Sequence, residues 1–191
     1  MRSFTAIATA SLIALSAASP EPIFKRDDAA CMTQAEAQVV ANNFQELIAD
    51  YTVEAANAYL TTDFEDNTDS VTELINGGCS GPETLGVATF TSRAAFEAAQ
   101  GAQDAIPFEQ LNVWYNCDTV FLRWRTALTP ESVTGIIVGE TTQNTNATTA
   151  DAEPWLINTL YSEFNSGAWL VDTGSFVPTG CSSSTRRMLR V

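Results

Sequence analysis

The chain has 191 residues, with nine Lys+Arg against 23 Asp+Glu and no histidine. A net charge of −14 argues against nucleic-acid binding, which needs clustered basic residues, and the missing histidine removes Ser-His-Asp and Cys-His nucleophilic catalysis and most catalytic zinc sites. With 45% hydrophobic and 17% charged residues, the composition is that of one globular domain large enough to bury a core.

Residues 1–18 have the layout of a secretory signal peptide. Met1-Arg2 supplies a charged start, residues 4–15 an apolar run too short to span a bilayer, and Ser16-Ala17-Ala18 a small-x-small cleavage site ending at Ala18. Residues 19–26 read as a short pro-segment ending in the dibasic pair Lys25-Arg26. Its removal leaves a chain starting at Asp27 with no lysine. Between Cys31 and Cys181 the only cations are Arg93, Arg123 and Arg125, set against 20 acids. Such a surface is repelled by anionic membranes, so no membrane contact is expected once the signal is removed.

The folded domain is expected over residues 31–181, with 182–191 a polar tail. Thr33-Gln34-Ala35-Glu36 fits a capping box, and Ala37, Val40, Phe44, Leu47, Ile48 and Tyr51 follow at helical spacing. A short helix is predicted over 53–60 and a strand over 62–67, followed by a loop through Asn76-Gly77-Gly78 and Gly81-Pro82. A short strand is predicted over 85–91, and Ser92 can cap a third helix that ends at Gly101. The period then changes to two. Strands are predicted over 108–115, 119–128, 133–142 and 155–164. Asn165-Ser166-Gly167 reads as a hairpin turn into a last strand, 168–176. All four tryptophans, Trp114, Trp124, Trp155 and Trp169, fall in this sheet region.

Four cysteines in an exported chain imply two disulfides. Of the three pairings, Cys31–Cys181 with Cys79–Cys117 is favoured because Cys31 and Cys181 bracket the folded region. No C-x-x-C pair or histidine is present to complete a zinc site, and neither metal nor cofactor is expected. Asn146-Ala147-Thr148 is the only N-x-S/T sequon and lies in a Thr/Asn/Ala-rich stretch that reads as an exposed loop open to glycosylation.

Helices first and an antiparallel sheet afterwards give an α+β architecture. Over residues 32–178 the element order resembles the nuclear-transport-factor-2-like cone, the fold of ketosteroid isomerases, scytalone dehydratase and polyketide-cyclase-like proteins. That resemblance implies three N-terminal helices packed on a curved, mostly antiparallel sheet of five to six strands. More narrowly, Ala41-Asn42-Asn43-Phe44, Leu74-Ile75-Asn76-Gly77-Gly78-Cys79, Leu111-Asn112-Val113-Trp114 and Tyr161-Ser162-Glu163-Phe164-Asn165-Ser166-Gly167-Ala168-Trp169-Leu170 resemble small secreted fungal proteins with that domain.

A cone of this kind encloses a pocket, and in the enzymes of the fold the pocket holds acid/base residues. Along Thr62-Asp63-Phe64-Glu65-Asp66-Asn67, alternation puts Asp63, Glu65 and Asn67 on one face and Phe64 with Asp66 on the other. The Phe64 face is the better inner face, so Asp66 is the leading candidate for a pocket base; the alternative is a solvated acidic edge. Asp63, Glu65, Asn67 and Asp69 also alternate as in a calcium loop, but Thr68 and Leu74 occupy the positions that need Gly and Glu. Tyr115 and Tyr161 are candidate donors to a carbonyl or enolate. Arg123 and Arg125 share a strand face, either as outer-face ion pairs or as an anion clamp. Phe64, Trp114, Trp124 and Trp169 complete the candidate ligand wall. The dehydratase of this fold works through histidines, which the chain lacks.

Three readings follow. The favoured one is a non-catalytic secreted module that binds a small apolar ligand or a protein partner through the cone, with the sheet as the surface for any homodimer. The second is a histidine-free isomerase or lyase using Asp66, and the third a cell-surface or effector-type interaction protein. Mass spectrometry of the exported protein is expected to find Asp27 at its N-terminus; a start at Ser19 would retire the dibasic cut and leave export intact.

Overall fold

The computed structural model describes residues 31–77, 83–177 and 179. Thr33 opens α1 (Gln34–Ala49) with both halves of the capping box in place. The Glu36 carboxylate accepts from Thr33 N at 2.6 Å, and the Thr33 hydroxyl accepts from Glu36 N at 3.3 Å. Ala37, Val40, Phe44 and Leu47 form the buried stripe of α1, at the spacing of one helix face. Thr52 caps α2 (Val53–Tyr59), after which the chain enters β1 (Leu60–Asn67). Two helices, α3 (Asp69–Asn76) and α4 (Arg93–Gln100, capped by Ser92), precede four strands: β2 (Glu109–Tyr115), β3 (Thr119–Thr126), β4 (Val133–Gln143) and β5 (Trp155–Phe164). The last element is α5 (Ser166–Asp172).

The strands form one sheet in the order β1-β5-β4-β3-β2. The β2–β3, β3–β4 and β4–β5 pairs are antiparallel, whereas β1 runs parallel to β5. Register shifts interrupt β1/β5, β2/β3 and β4/β5, and such irregularities bend strands and increase twist. The result is the expected α+β cone, with five strands. Its inner face carries Phe64, Leu122, Trp124, Ile137, Ile157 and Leu160, all buried, with α1 lying against it. At Gly135 on β4, an added Cβ would come within 2.7 Å of both the Trp124 ring and Phe164, so only glycine lets Trp124 lie flat on this strand.

Several local expectations are corrected. Residues 168–176 do not form a sixth strand: Asn165-Ser166-Gly167 starts α5, because the Asn165 side chain accepts from Ala168 N at 3.1 Å and caps it. Residues 85–91 make only an isolated bridge, Asp66 to Phe90. Helix α3 occupies part of the predicted loop. Its N-cap, Thr68, makes no side-chain capping bond. The acceptor comes instead from β5, where Glu163 takes N–H bonds from Asp69 and Ser70, each at 3.2 Å. The Ser70 hydroxyl adds a bond to the same carboxylate and another to Phe164 O at 3.0 Å. A cap 94 residues away leaves no local sequence signature.

The disulfide reading is also corrected. Cys31 bonds Cys117, so neither favoured pairing, Cys31–Cys181 nor Cys79–Cys117, holds. Cys79 and Cys181 lie outside the described residues, as do residues 1–30 and 180–191. The bracketing argument failed because the segment before α1 lies beside the β2–β3 turn, where Met32 N donates to Cys117 O at 2.8 Å. The bond closes a separation of 86 residues, which in the chain-entropy model constrains the unfolded chain by roughly 4–5 kcal/mol. Non-reducing peptide maps are expected to link Cys31 to Cys117. Replacing both by alanine should lower unfolding stability by roughly 2–5 kcal/mol in denaturant titrations.

Candidate active site in the cone cavity

Between the inner face of the sheet and helices α3, α4 and α5 lies a cavity of about 300 Å³. Its wall is mainly apolar. Phe44 comes from α1, Val71, Leu74 and Ile75 from α3, Phe96 from α4, Trp124 from β3, Leu160 and Phe164 from β5, and Trp169 from α5; Phe90, Ile106 and Phe108 complete it. The rings brace one another: Phe108 stacks on Trp124 at 5.0 Å, Phe90 meets Phe96 edge-on at 5.9 Å, and Phe164 tilts against Trp169 at 5.4 Å. Ile75, Ala99 and Gln103 line the cavity and are also exposed, so they mark its mouth, between α3 and the end of α4.

One acid faces this space. Asp66 is 3% exposed and lies beside Leu160 in the parallel β1–β5 pair. Its backbone is tied on the other side to the segment before α4, donating to Phe90 O at 2.9 Å and accepting from Thr89 N at 2.7 Å. One carboxylate oxygen accepts from the Thr68 hydroxyl, and the other has no partner among the described residues. Thr68 is held by Thr72 and Thr89, whose hydroxyls both donate to its carbonyl, at 3.3 and 2.9 Å. Ser162, also buried, adds a second hydroxyl to the wall. Burial pushes the Asp66 carboxyl up from 3.8 to about 6; the Thr68 hydrogen bond opposes this, and the charge of Glu163 adds to it.

The structure places the other candidates as follows. Trp124 and Trp169 line the cavity, and the Trp124 indole N–H is buried with no acceptor among the described residues. Phe64 is buried behind the wall, edge-on to Phe96 at 5.6 Å, and does not line it. Tyr115 and Tyr161 are exposed and do not line the cavity, so they are not brought together with Asp66. Tyr161 and Trp114 instead belong to a row across the outer sheet face, Trp114–Phe121–Val138–Tyr161, set by the strand register. Arg123 and Arg125 also face outward, and no anion clamp is formed in the cavity. Arg125 pairs with Glu109 at 2.5 Å, and Arg123 has no ion pair among the described residues. Asn146 is exposed in the β4–β5 connection, its side-chain oxygen accepting from Thr148 N at 3.0 Å.

Sequence reasoning missed Thr68 and Ser162 as site residues. Alternation along β5 held the signal for Ser162, which shares a face with Leu160 and Phe164. Thr68 follows the end of β1, where alternation no longer informs.

The raised pKa of Asp66 has a definite sign in stability. The folded state binds the Asp66 proton more tightly than the unfolded chain does. This group's contribution to stability is therefore full below about pH 3.8 and is lost as pH rises towards 6. Asp66→Asn removes the titration while keeping an acceptor for the Thr68 hydroxyl. Its stability relative to wild type should rise between pH 4 and pH 7 by up to about 3 kcal/mol, as read from denaturant midpoints. A difference that stays flat over this range would place the Asp66 carboxylate in contact with water.

The description "NTF2-like domain" matches residues 30–176. No curated protein matches the chain. Among solved structures, a Rhodopseudomonas palustris protein provisionally named an isomerase superposes with a TM-score of 0.51 at 12% identity, covering 76% of this chain and 100% of that one. A loop-truncation variant of IdmH gives 0.50 at 10% identity, covering 72% and 99%. Wild-type IdmH, from Streptomyces antibioticus and provisionally named a polyketide cyclase, gives 0.48 at 10% identity, covering 72% and 98%. At these identities the first two structures share the fold with this chain, and all three names describe those proteins alone. With all five described helices and all five strands inside the matched region, the chain belongs to the family of NTF2-like domains.

Proposed function

We propose that the protein is an exported, disulfide-held module that binds a small, largely apolar ligand in the cone cavity, with Asp66 as the polar anchor. The observation that carries this reading is a single carboxylate, 3% exposed, in the wall of an otherwise mainly apolar cavity of about 300 Å³. Ligand sites typically combine an apolar wall with a few placed polar groups. The signal-like residues 1–18 and the Cys31–Cys117 bond support export. Among the described residues no helix is long and apolar enough to cross a membrane. Should the chain self-associate, the outer row of Trp114, Phe121, Val138 and Tyr161 is the apolar surface it offers.

One observation favours a second reading, an isomerase or lyase: the Asp66 carboxyl, pushed up to about 6, is in the range where a carboxylate takes and returns protons near neutral pH. This reading lacks its tyrosine donors, since Tyr115 and Tyr161 do not line the cavity; the hydroxyls of Thr68 and Ser162 are the polar groups left beside Asp66. Binding is therefore the better-supported function. The interaction-protein reading, which expects a filled interior, draws no support from this cavity.

Trp124 and Trp169 report occupancy directly. Titration with small apolar compounds should shift tryptophan emission saturably, and Ala99→Phe, at the mouth, should weaken binding at least about ten-fold with the melting temperature kept. Emission that responds to no compound, or binding that ignores the plug, would retire the cavity as the site.

A further inference from the structure

The chemistry of the ligand can be taken one step further, on the premise that the cavity is a ligand site. Among the described residues the charge on Asp66 has no counter-ion. Among the described residues the cations are Arg93, Arg123 and Arg125, and none lines the cavity. Arg93 on α4 is paired with Glu97 at 3.3 Å and donates to Leu60 O at 3.1 Å. Arg125 is paired with Glu109, and Arg123 is on the outer face. The titratable groups on elements packed against β1 are mainly acids: Glu163 on β5, Glu97 beside Arg93 on α4, and Glu54 on α2. Asp69 and Glu73 lie on the adjoining α3. Among the described residues Asp66 is the only titratable side chain in the wall.

A ligand entering this site therefore meets a negative field and a carboxylate oxygen with no partner among the described residues. An anion is opposed by Asp66, by Glu163 and by the chain's net charge of −14. A neutral apolar ligand leaves the buried charge uncompensated. A cation with an apolar body compensates it with a charge-assisted hydrogen bond, and the aromatic wall accepts both its body and, through ring faces, its charge.

We infer that the ligand is an apolar amine, bound as its ammonium ion with the nitrogen on Asp66 and the hydrocarbon body against Phe96, Trp124, Leu160 and Trp169. The premise and the inference fail separately. Adamantylmethylamine, protonated throughout the range used, and adamantylmethanol, its neutral near-isostere, are titrated into the full-length protein by calorimetry near pH 8 and near pH 4.5. The ammonium ion is expected to bind at least about ten-fold more tightly than the alcohol near pH 8, and to lose that advantage near pH 4.5, where Asp66 is protonated. Asp66→Asn should erase the preference. Wild-type protein gives an independent measure: ammonium binding near pH 6 should release a proton, seen as a heat that changes with the ionisation enthalpy of the buffer. Equal affinity for amine and alcohol near pH 8 would overturn the amine assignment and leave the cavity as a site for neutral ligands. Amine binding that is unchanged in Asp66→Asn, or that releases no proton, would overturn it too. If neither compound binds, both the premise and the inference fall.

Discussion

Two backbone N–H groups at the start of α3, those of Asp69 and Ser70, find their acceptor in Glu163 on the last strand. Helix α3 has eight residues, too few to be stable alone in water, and its own N-cap makes no side-chain bond. Yet Val71, Leu74 and Ile75 of this helix form one wall of the cavity. Without the Glu163 contact, and the Ser70 bonds to the end of β5, the sheet would be curved but open on this side. The same carboxylate adds its field to that of burial at Asp66. Enclosure and electrostatics of the site thus share one side chain.

Asp66 sits where folding alone would prefer an apolar residue. A carboxyl displaced from 3.8 to about 6 is destabilising in its charged form. Only one hydroxyl, that of Thr68, offsets the lost hydration. Elsewhere in the core some polar groups are more fully satisfied, although the buried Thr126 hydroxyl has no partner among the described residues. Asn43, buried in α1, donates to Glu153, and Ser70 has partners on both sides. The sparse solvation of Asp66 falls in the cavity wall, a usual position for a cost tolerated for function.

How much of this was legible in the residues depended on the range of the interactions. The α1 capping box, the Ser92 cap and the alternation of β2 to β5 are written within a few residues of one another, and each appears in the fold. The alternation around Phe64 also separated Asp66 from Asp63 and Glu65, whose side chains are exposed. What local patterns could not carry was long-range. The cap of α3 comes from β5, and the partner of Cys31 comes from the β2–β3 turn. Asn165-Ser166-Gly167 is ambiguous in itself, since Asn both starts turns and caps helices; the packing of Trp169 against Phe164 and the contacts of α5 with α3 accompany the helical outcome. Tyr115 and Tyr161 miss the cavity for two different reasons. Tyr115 is at a strand end, where a side chain on the inner register still reaches solvent, and Tyr161 shares the outer face with Val138.

The position of β1 in the sheet sets an order of events during synthesis. Its only strand neighbour is β5, and the chain between Asn67 and Trp155 must leave the ribosome before that neighbour exists. Strands β2 to β5 can zip together from adjacent hairpins as they emerge, whereas β1 waits for its strand partner with only the earlier segments packed on it. Such late, non-local closure slows folding and lengthens the exposure of an apolar edge. The acidic side chains of Asp63 and Glu65, on the opposite face of β1, keep that waiting strand charged and so discourage it from pairing with a neighbouring nascent chain.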